Sequence, residues 1–175
     1  MGQYQIGDKA IDRNGRIFEV ESIAEKDFGS GPQPFLVMKP CFQYEYSSDY
    51  RFYVPQDNAS NILHAVMSPD ECNRLIDGLA ALELYPETTP RERKMQFQNI
   101  VASGNRKEIC RVIKSLAAYK KKRLQIKKTF SDFDNRLLQS LKTMLKDEIS
   151  LALSIPVDRV FPYIEDRTGV DFFQE

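Results

Sequence analysis

Two patterns of hydrophobic spacing divide the chain. Over residues 4–55, short apolar runs alternate with turn residues, which is how strands are written. Gly7-Asp8 is a turn, and Lys9 to Ile11 opens a strand. Asn14-Gly15 stands between apolar runs and marks a hairpin, because both residues tolerate the positive φ of a tight turn. From Arg16 to Ile23, Ile17, Glu19, Glu21 and Ile23 fall on one parity and Phe18, Val20 and Ser22 on the other. Both faces carry apolar weight, as in a small barrel. Gly29-Ser30-Gly31-Pro32 is a loop, Phe35 to Met38 a short buried strand that Pro40 ends, and Tyr50 to Val54 the last strand, stopped by Pro55. Several strands in so short a stretch predict a small, strongly bent SH3-like or Tudor-like barrel over residues 1–65. Its aromatics Tyr44, Tyr46, Tyr50, Phe52 and Tyr53 are either an interaction patch or the core and rim of that barrel.

After Asn61 the spacing becomes helical. Ser68-Pro69-Asp70-Glu71 is a helix start: Ser68 as N-cap, Pro69 at the first position, and acids where the helix dipole is positive. Leu75, Ile76, Leu79 and Leu82 follow on one stripe until Tyr85-Pro86-Glu87-Thr88 breaks it. Thr89-Pro90 starts a second helix; Met95, Phe97, Ile100 and Val101 supply its apolar side, and Ser103-Gly104 ends it. Asn105 caps a third, with Ile109, Val112, Ile113, Leu116 and Tyr119 at helical intervals. Ser131 opens a fourth, carrying Leu137, Leu138, Leu141, Met144, Leu145 and Ile149. Pro156 starts a fifth, which carries Val160, Tyr163 and Ile164 up to Thr168-Gly169 and which Pro162 kinks or splits. The expected fold is therefore α+β: the N-terminal barrel, then an all-α five-helix domain over residues 66–175. Little holds the tail from Val170 to Glu175.

Charge changes the picture, because a net charge of zero hides two opposed blocks. From Arg91 to Lys128 there are 13 Lys and Arg against two acids, or +11; the other 12 basic and 23 acidic residues give −11. Clustered cations favour a polyanionic partner, since each neutralised phosphate releases counterions. A solvated helix face is the plainer use of the same charges. In the third helix Lys107, Arg111, Lys114 and Lys121 lie away from the apolar stripe, so this helix packs and still shows a basic face.

Candidate chemistry is sparse. An apolar fraction of 42% supports a folded core. No apolar run approaches the ~20 residues of a membrane span, and the N-terminus has no secretory pattern; Ile6 stands where a myristoylation signal needs a hydroxyl. Cys41, Cys72 and Cys110 form no C-x-x-C pair, and the single histidine, His64, has no partner at ligand spacing. These features predict reduced thiols in a cytoplasmic protein, with no metal, no cofactor and no Cys–His nucleophile. There is no Gly-rich phosphate loop. Asp147-Glu148 and Glu165-Asp166 are neighbours within helical patterns, which do not share a face; they read as solvated surface acids rather than as a general acid and base. A binding module without a small-molecule substrate is expected, not an enzyme.

Four segments carry a likeness. They are QIGDKAI at 5–11, YVPQDNA at 53–59, ASGNRKEICRVIKSL at 102–116 and FSDFDNRLLQSLKTMLKDEISLAL at 130–153. In this order they resemble the CarD family of bacterial transcription regulators over nearly the whole chain. The same barrel type occurs in transcription-repair coupling factor, a large helicase, but this chain is far too short and lacks the nucleotide loop. The resemblance implies that the barrel grips a lobe of the RNA polymerase β subunit. It also implies that the helical domain lies on promoter DNA at the upstream edge of the melted region and stabilises the open complex. Lys26 and Tyr53 fall at polymerase-contact positions. Arg51 either supplies the charge that Tyr53 lacks or is an ordinary exposed strand residue. Arg91, Arg93 and Lys94 suit phosphate contacts, with Lys114, Lys121 and Lys128 as further DNA-binding candidates. Many members wedge a tryptophan into the minor groove just before the second helix. This chain has no Trp. Pro90, at the corresponding place, is explained by the helix start, and Tyr85 either substitutes for the wedge or packs against the first helix.

The expected function is thus a regulator that binds the polymerase β subunit and modulates open-complex stability through electrostatic DNA contacts. The alternative is an adaptor whose basic helices meet an acidic protein surface. What separates them is whether Arg93, Lys94, Lys114, Lys121 and Lys128 share one exposed face or are paired with internal acids.

Overall fold

Strands form where the sequence alternates, and they join into one sheet. The computed structural model describes residues 4–29, 31–42 and 49–169, so Ser30, Tyr44, Tyr46 and the tail from Val170 lie outside the described residues. The architecture is α+β. The strands β1 (Lys9–Ile11), β2 (Ile17–Lys26), β3 (Gln33–Pro40), β4 (Phe52–Pro55) and β5 (His64–Ala65) form an antiparallel sheet in the order β4-β3-β2-β1-β5, curled as a half-barrel. The Asn14-Gly15 turn joins β1 to β2. There Asp12 Oδ1 accepts the Asn14 and Arg16 N–H groups at 2.8 and 2.9 Å, and Gly15 takes φ +78°. Phe18, Val20, Leu36, Met38, Val54 and Leu63 fill the core of this unit.

Two features here depart from the sequence pattern. The β2–β3 register passes from Val20 opposite Met38 to Ser22 opposite Val37, so Glu21 is the extra residue of a bulge and strict alternation fails there. A short helix α1 (Ala59–Ile62) and strand β5 occupy the stretch where the spacing turned helical. β5 closes on β1, with Ile11 opposite His64.

The chain forms two compact units, Met1–Val66 and Met67–Glu175. The second holds α2 (Pro69–Asp77), α3 (Pro90–Ser103), α4 (Arg106–Gln125), α5 (Asp132–Leu153) and α6 (Val160–Thr168). Each of the first four starts on a side-chain cap. Ser68 and Thr89 form reciprocal capping boxes with Glu71 and Glu92, while Asn105 and Ser131 accept from the third residue of α4 and α5. Ser68→Ala or Thr89→Ala should each cost about 1 kcal/mol in denaturant unfolding, with an unchanged m-value. Ile76, Phe97, Ile109, Ile113, Leu116, Leu138, Leu145 and Ile164 make the core.

Three expectations need correction. The first helix does not run to Leu82: it ends at Asp77, and Gly78 follows as its C-cap, although Leu79 and Leu82 still bury themselves. Pro162 does not split the last helix. A 3-10 turn, Val157–Arg159, follows Pro156, and α6 starts at Val160, so Pro162 falls in the first turn, where its N–H would have no helical acceptor. Finally, Asp147 and Glu148 are not solvated. Both are buried, and Glu148 is fully so, whereas Glu165 and Asp166 are exposed.

Candidate functional site

Six of the 13 cations between Arg91 and Lys128 are held by partners within the helical unit. Arg93 is only 8% exposed. Its Nη2 and Nε donate to Asp134 Oδ2 and Oδ1 at 2.6 and 3.4 Å, its Nη1 donates to the Thr88 carbonyl at 3.2 Å, and the guanidinium lies 4.7 Å from the Tyr119 ring centre. Lys114 Nζ donates to the carbonyls of Leu79, Ala80 and Leu82 at 3.4, 3.1 and 2.6 Å, closing the segment that follows α2. Arg106 pairs with Glu148, Lys122 with Glu87, Arg111 Nε with the Glu83 carbonyl and Arg123 Nε with the Thr129 carbonyl. The expectation that Arg93 and Lys114 present free charge to a DNA backbone is therefore corrected: both ammonium and guanidinium are spent on internal acceptors. A signal for Arg93 was present. It precedes Phe97 by four residues, so it shares the helix face that buries Phe97. Lys114 had no local signal, because its acceptors lie more than thirty residues earlier.

Arg91, Lys94, Lys120, Lys121, Lys127 and Lys128 have no ion-pair partner among the described residues. They gather at one end of the helical unit. The start of α3, the end of α4 and the start of α5 are tied there by the Glu87–Lys122 and Arg93–Asp134 pairs, by Lys94 over the Phe133 ring at 4.9 Å, and by Tyr119 against Phe130 at 6.0 Å. Of the acids at this end, Glu87 and Asp134 are paired and Glu92 is held by Thr89; Asp132 is exposed. Lys107 stands at the opposite end of α4. The turn after α4 is well fixed: Lys127 takes φ +53°, its N–H donates to the Leu124 carbonyl at 3.0 Å, and the Lys128 N–H donates to the Arg123 carbonyl at 2.9 Å. Leu124 and Ile126, 57% and 54% exposed, stand out between these lysines and were not singled out from the sequence.

Of the two wedge candidates, Tyr85 is held by packing, and Pro90 is exposed at the start of α3. The Tyr85 ring packs on Phe97 at 5.6 Å, the Arg111 guanidinium lies 4.0 Å from its centre, its N–H donates to Ser115 Oγ at 2.9 Å, and its hydroxyl donates to Glu108 Oε2. Burial, with the Glu108 hydrogen bond second, pushes this phenol up to about 12 and keeps it a donor at neutral pH. Tyr85 packs. Pro90 is the first residue of α3 behind the Thr89 cap.

On the sheet unit, Lys26 and Tyr53 come together, with Lys26 Nζ 5.9 Å from the Tyr53 ring centre. Phe28 joins them, edge-on to Tyr53 at 5.8 Å and to Phe35 at 4.9 Å, yet 64% exposed. Asp27 Oδ1 accepts the N–H groups of Gly29 and Gly31 at 2.8 and 3.1 Å and fixes the turn that presents Phe28. An aromatic next to a Gly-rich turn has no strand to bury it, which is the sequence signal for Phe28 that the strand pattern hid. Arg51, two residues before Tyr53, has its own partner. It makes a two-point contact with Glu21 at 2.5 and 2.9 Å, and that hydrogen bond holds the Glu21 carboxyl below the usual carboxylate range. Its charge is matched on the sheet by Glu21.

No protein-family model and no curated protein matches the chain. Among the described residues, no helix is long and apolar enough to cross a membrane. No group of three or more His, Cys, Asp and Glu there is placed to hold a metal ion.

Proposed function

We propose that this protein is a transcription regulator of the CarD type, which binds the RNA polymerase β subunit through its sheet unit and promoter DNA through its helical unit, and so sets the lifetime of the open complex. The observation that carries the DNA part is the gathering of Lys94, Lys121 and Lys128, with Arg91, Lys120 and Lys127, at one end of the helical unit without acidic partners among the described residues. Lysines so placed seek phosphate and read no base, so binding is weakly sequence-specific and falls steeply with salt. On this reading the curled sheet is a Tudor-like barrel and the helical unit a five-helix DNA-contacting domain. The polymerase part rests on the sequence likeness and is supported by the exposed Lys26–Phe28–Tyr53 group, an aromatic centre with a charged rim of the kind that anchors protein contacts.

The adaptor reading keeps one observation in its favour: Arg93 and Lys114, two of the five diagnostic cations, are consumed internally. The first test addresses the sheet unit in the full chain. Phe28→Ala with Tyr53→Ala should weaken binding to the polymerase β lobe by at least about tenfold, the loss of two exposed aromatic anchors, and leave DNA affinity unchanged. Full β-lobe affinity in this variant would remove that patch from the interface.

A further inference from the structure

The helical unit contains an open-mouthed cavity of about 170 Å³ that nothing in the DNA or polymerase reading uses. It lies between the Leu84–Glu87 segment, α3 and α4. Three rings, those of Tyr85, Phe97 and Tyr119, line it together with Leu84, Leu116 and Ala118. Its mouth is open to solvent and its floor is built from the three rings, so a ligand entering it would cover apolar ring surface that water now meets. By volume it admits one small ring, since about 150 Å³ is enough for benzene.

The charges around it decide the class of ligand. The Arg93 guanidinium reaches the wall but is matched by Asp134, at 2.6 Å. Lys122 and Glu87 also belong to the lining, and they are paired with each other. Ser115 Oγ accepts from the Tyr85 N–H and donates to the Arg111 carbonyl at 2.7 Å, so it too is occupied. An anionic ligand would have to draw Arg93 from its buried partner Asp134 or settle beside the Glu87 carboxylate, and either costs more than an exposed lysine returns. A ring carrying one N–H or O–H fits instead, since the Glu87 carboxylate has acceptor capacity beyond its single contact with Lys122.

We propose that this cavity is a binding site for a small uncharged planar aromatic bearing a single donor, of indole or phenol size. This inference goes beyond the transcriptional reading and does not depend on it, because neither DNA nor polymerase enters the test. The lining segment Leu84–Glu87 stands two residues before Thr89, the cap of the helix that carries Arg91 and Lys94.

The test is an NMR titration of the full chain with indole, beside phenol and benzoate. Indole should bind with a Kd on the order of 0.1–1 mM, as expected for a ligand of so few heavy atoms. Amide shifts should concentrate at Leu84–Glu87 and around Tyr119, with nuclear Overhauser contacts from indole protons to the Leu84 and Leu116 methyls. Ala118→Leu and the larger Ala118→Phe fill the space and should weaken binding at least about tenfold; the smaller change guards against loss of fold in the larger, and far-UV circular dichroism checks both. Benzoate should bind at least about tenfold more weakly than indole. Diffuse shifts of equal size in wild type and Ala118→Leu would overturn the site, and equal binding of benzoate would overturn the uncharged class.

Discussion

Replacing Lys94, Lys121 and Lys128 together with Glu should lower affinity for duplex DNA by about a hundredfold near 50 mM salt, on all sequences alike. The size follows from counterion release. Each phosphate contact contributes about 0.9 to the slope of log K against log salt, so three lost contacts should make the slope shallower by about 2.7. The three residues come from two helix ends, α3 for Lys94 and the end of α4 with its following turn for Lys121 and Lys128, which the Glu87–Lys122 and Lys94–Phe133 contacts bring to one end of the unit. All three are exposed, and the one side-chain contact they make among the described residues, Lys94 over Phe133, is a modest cation–π interaction. Fold stability should therefore change by less than about 1 kcal/mol. The control is Lys107→Glu with Arg159→Glu, which alters charge away from this end and should leave the slope within about 0.5 of wild type. Polymerase affinity should be untouched. An unchanged salt slope in the triple variant would favour the adaptor, whose basic end meets an acidic protein surface.

The helix starts were legible because they rest on local chemistry. Ser68, Thr89, Asn105 and Ser131 each stand three residues before an acid whose N–H they accept, a relation confined to four consecutive positions. Helix ends were less legible. The stripe through Leu79 and Leu82 is genuine burial but not helix, because the residues after Gly78 bury their side chains from an irregular backbone that Lys114 holds from a distance. Charge was the least legible layer. Composition counts an arginine as surface, yet Arg93 and Arg106 each meet an acid about forty residues away, and only the tertiary fold brings those pairs together. What remained readable for the candidate site was the sum: after the internal pairs are removed, free lysines still dominate the end of α4. The position of Glu148 was in fact encoded. It lies seven residues after Leu141 and three after Leu145, on the stripe that fills the core, and a charged residue there needs a partner rather than water.

That partner makes Glu148 a sensitive stability position in the helical unit. Its carboxylate is fully buried and accepts three hydrogen bonds: from Arg106 Nε at 3.0 Å, from Arg106 Nη2 at 3.2 Å and from the Met67 N–H at 3.0 Å. These join the start of α4 and the segment leading into α2 to the C-terminal part of α5. Glu148→Ala removes the acceptor from all three donors at once and leaves the Arg106 guanidinium, 14% exposed, without its counter-charge. Breaking a buried pair from one side costs about 3–5 kcal/mol, a large part of the stability of a domain this size. Glu148→Gln separates the contributions. The amide carbonyl can still accept from Met67, but it gives Arg106 no charge, so the loss should be smaller than for alanine by about the 1–3 kcal/mol of an orphaned buried donor. Arg106→Leu combined with Glu148→Leu should recover most of the loss seen in Glu148→Ala, because a buried ion pair replaced on both sides by apolar groups is often neutral; the Met67 N–H then remains as the residual cost. Denaturant unfolding of the four proteins at neutral pH measures the series. If Glu148→Ala unfolds within about 1 kcal/mol of wild type, the ion pair does not hold these segments together. If the double leucine variant is no better than the alanine variant, the cost lies in lost backbone hydrogen bonding rather than in a stranded guanidinium.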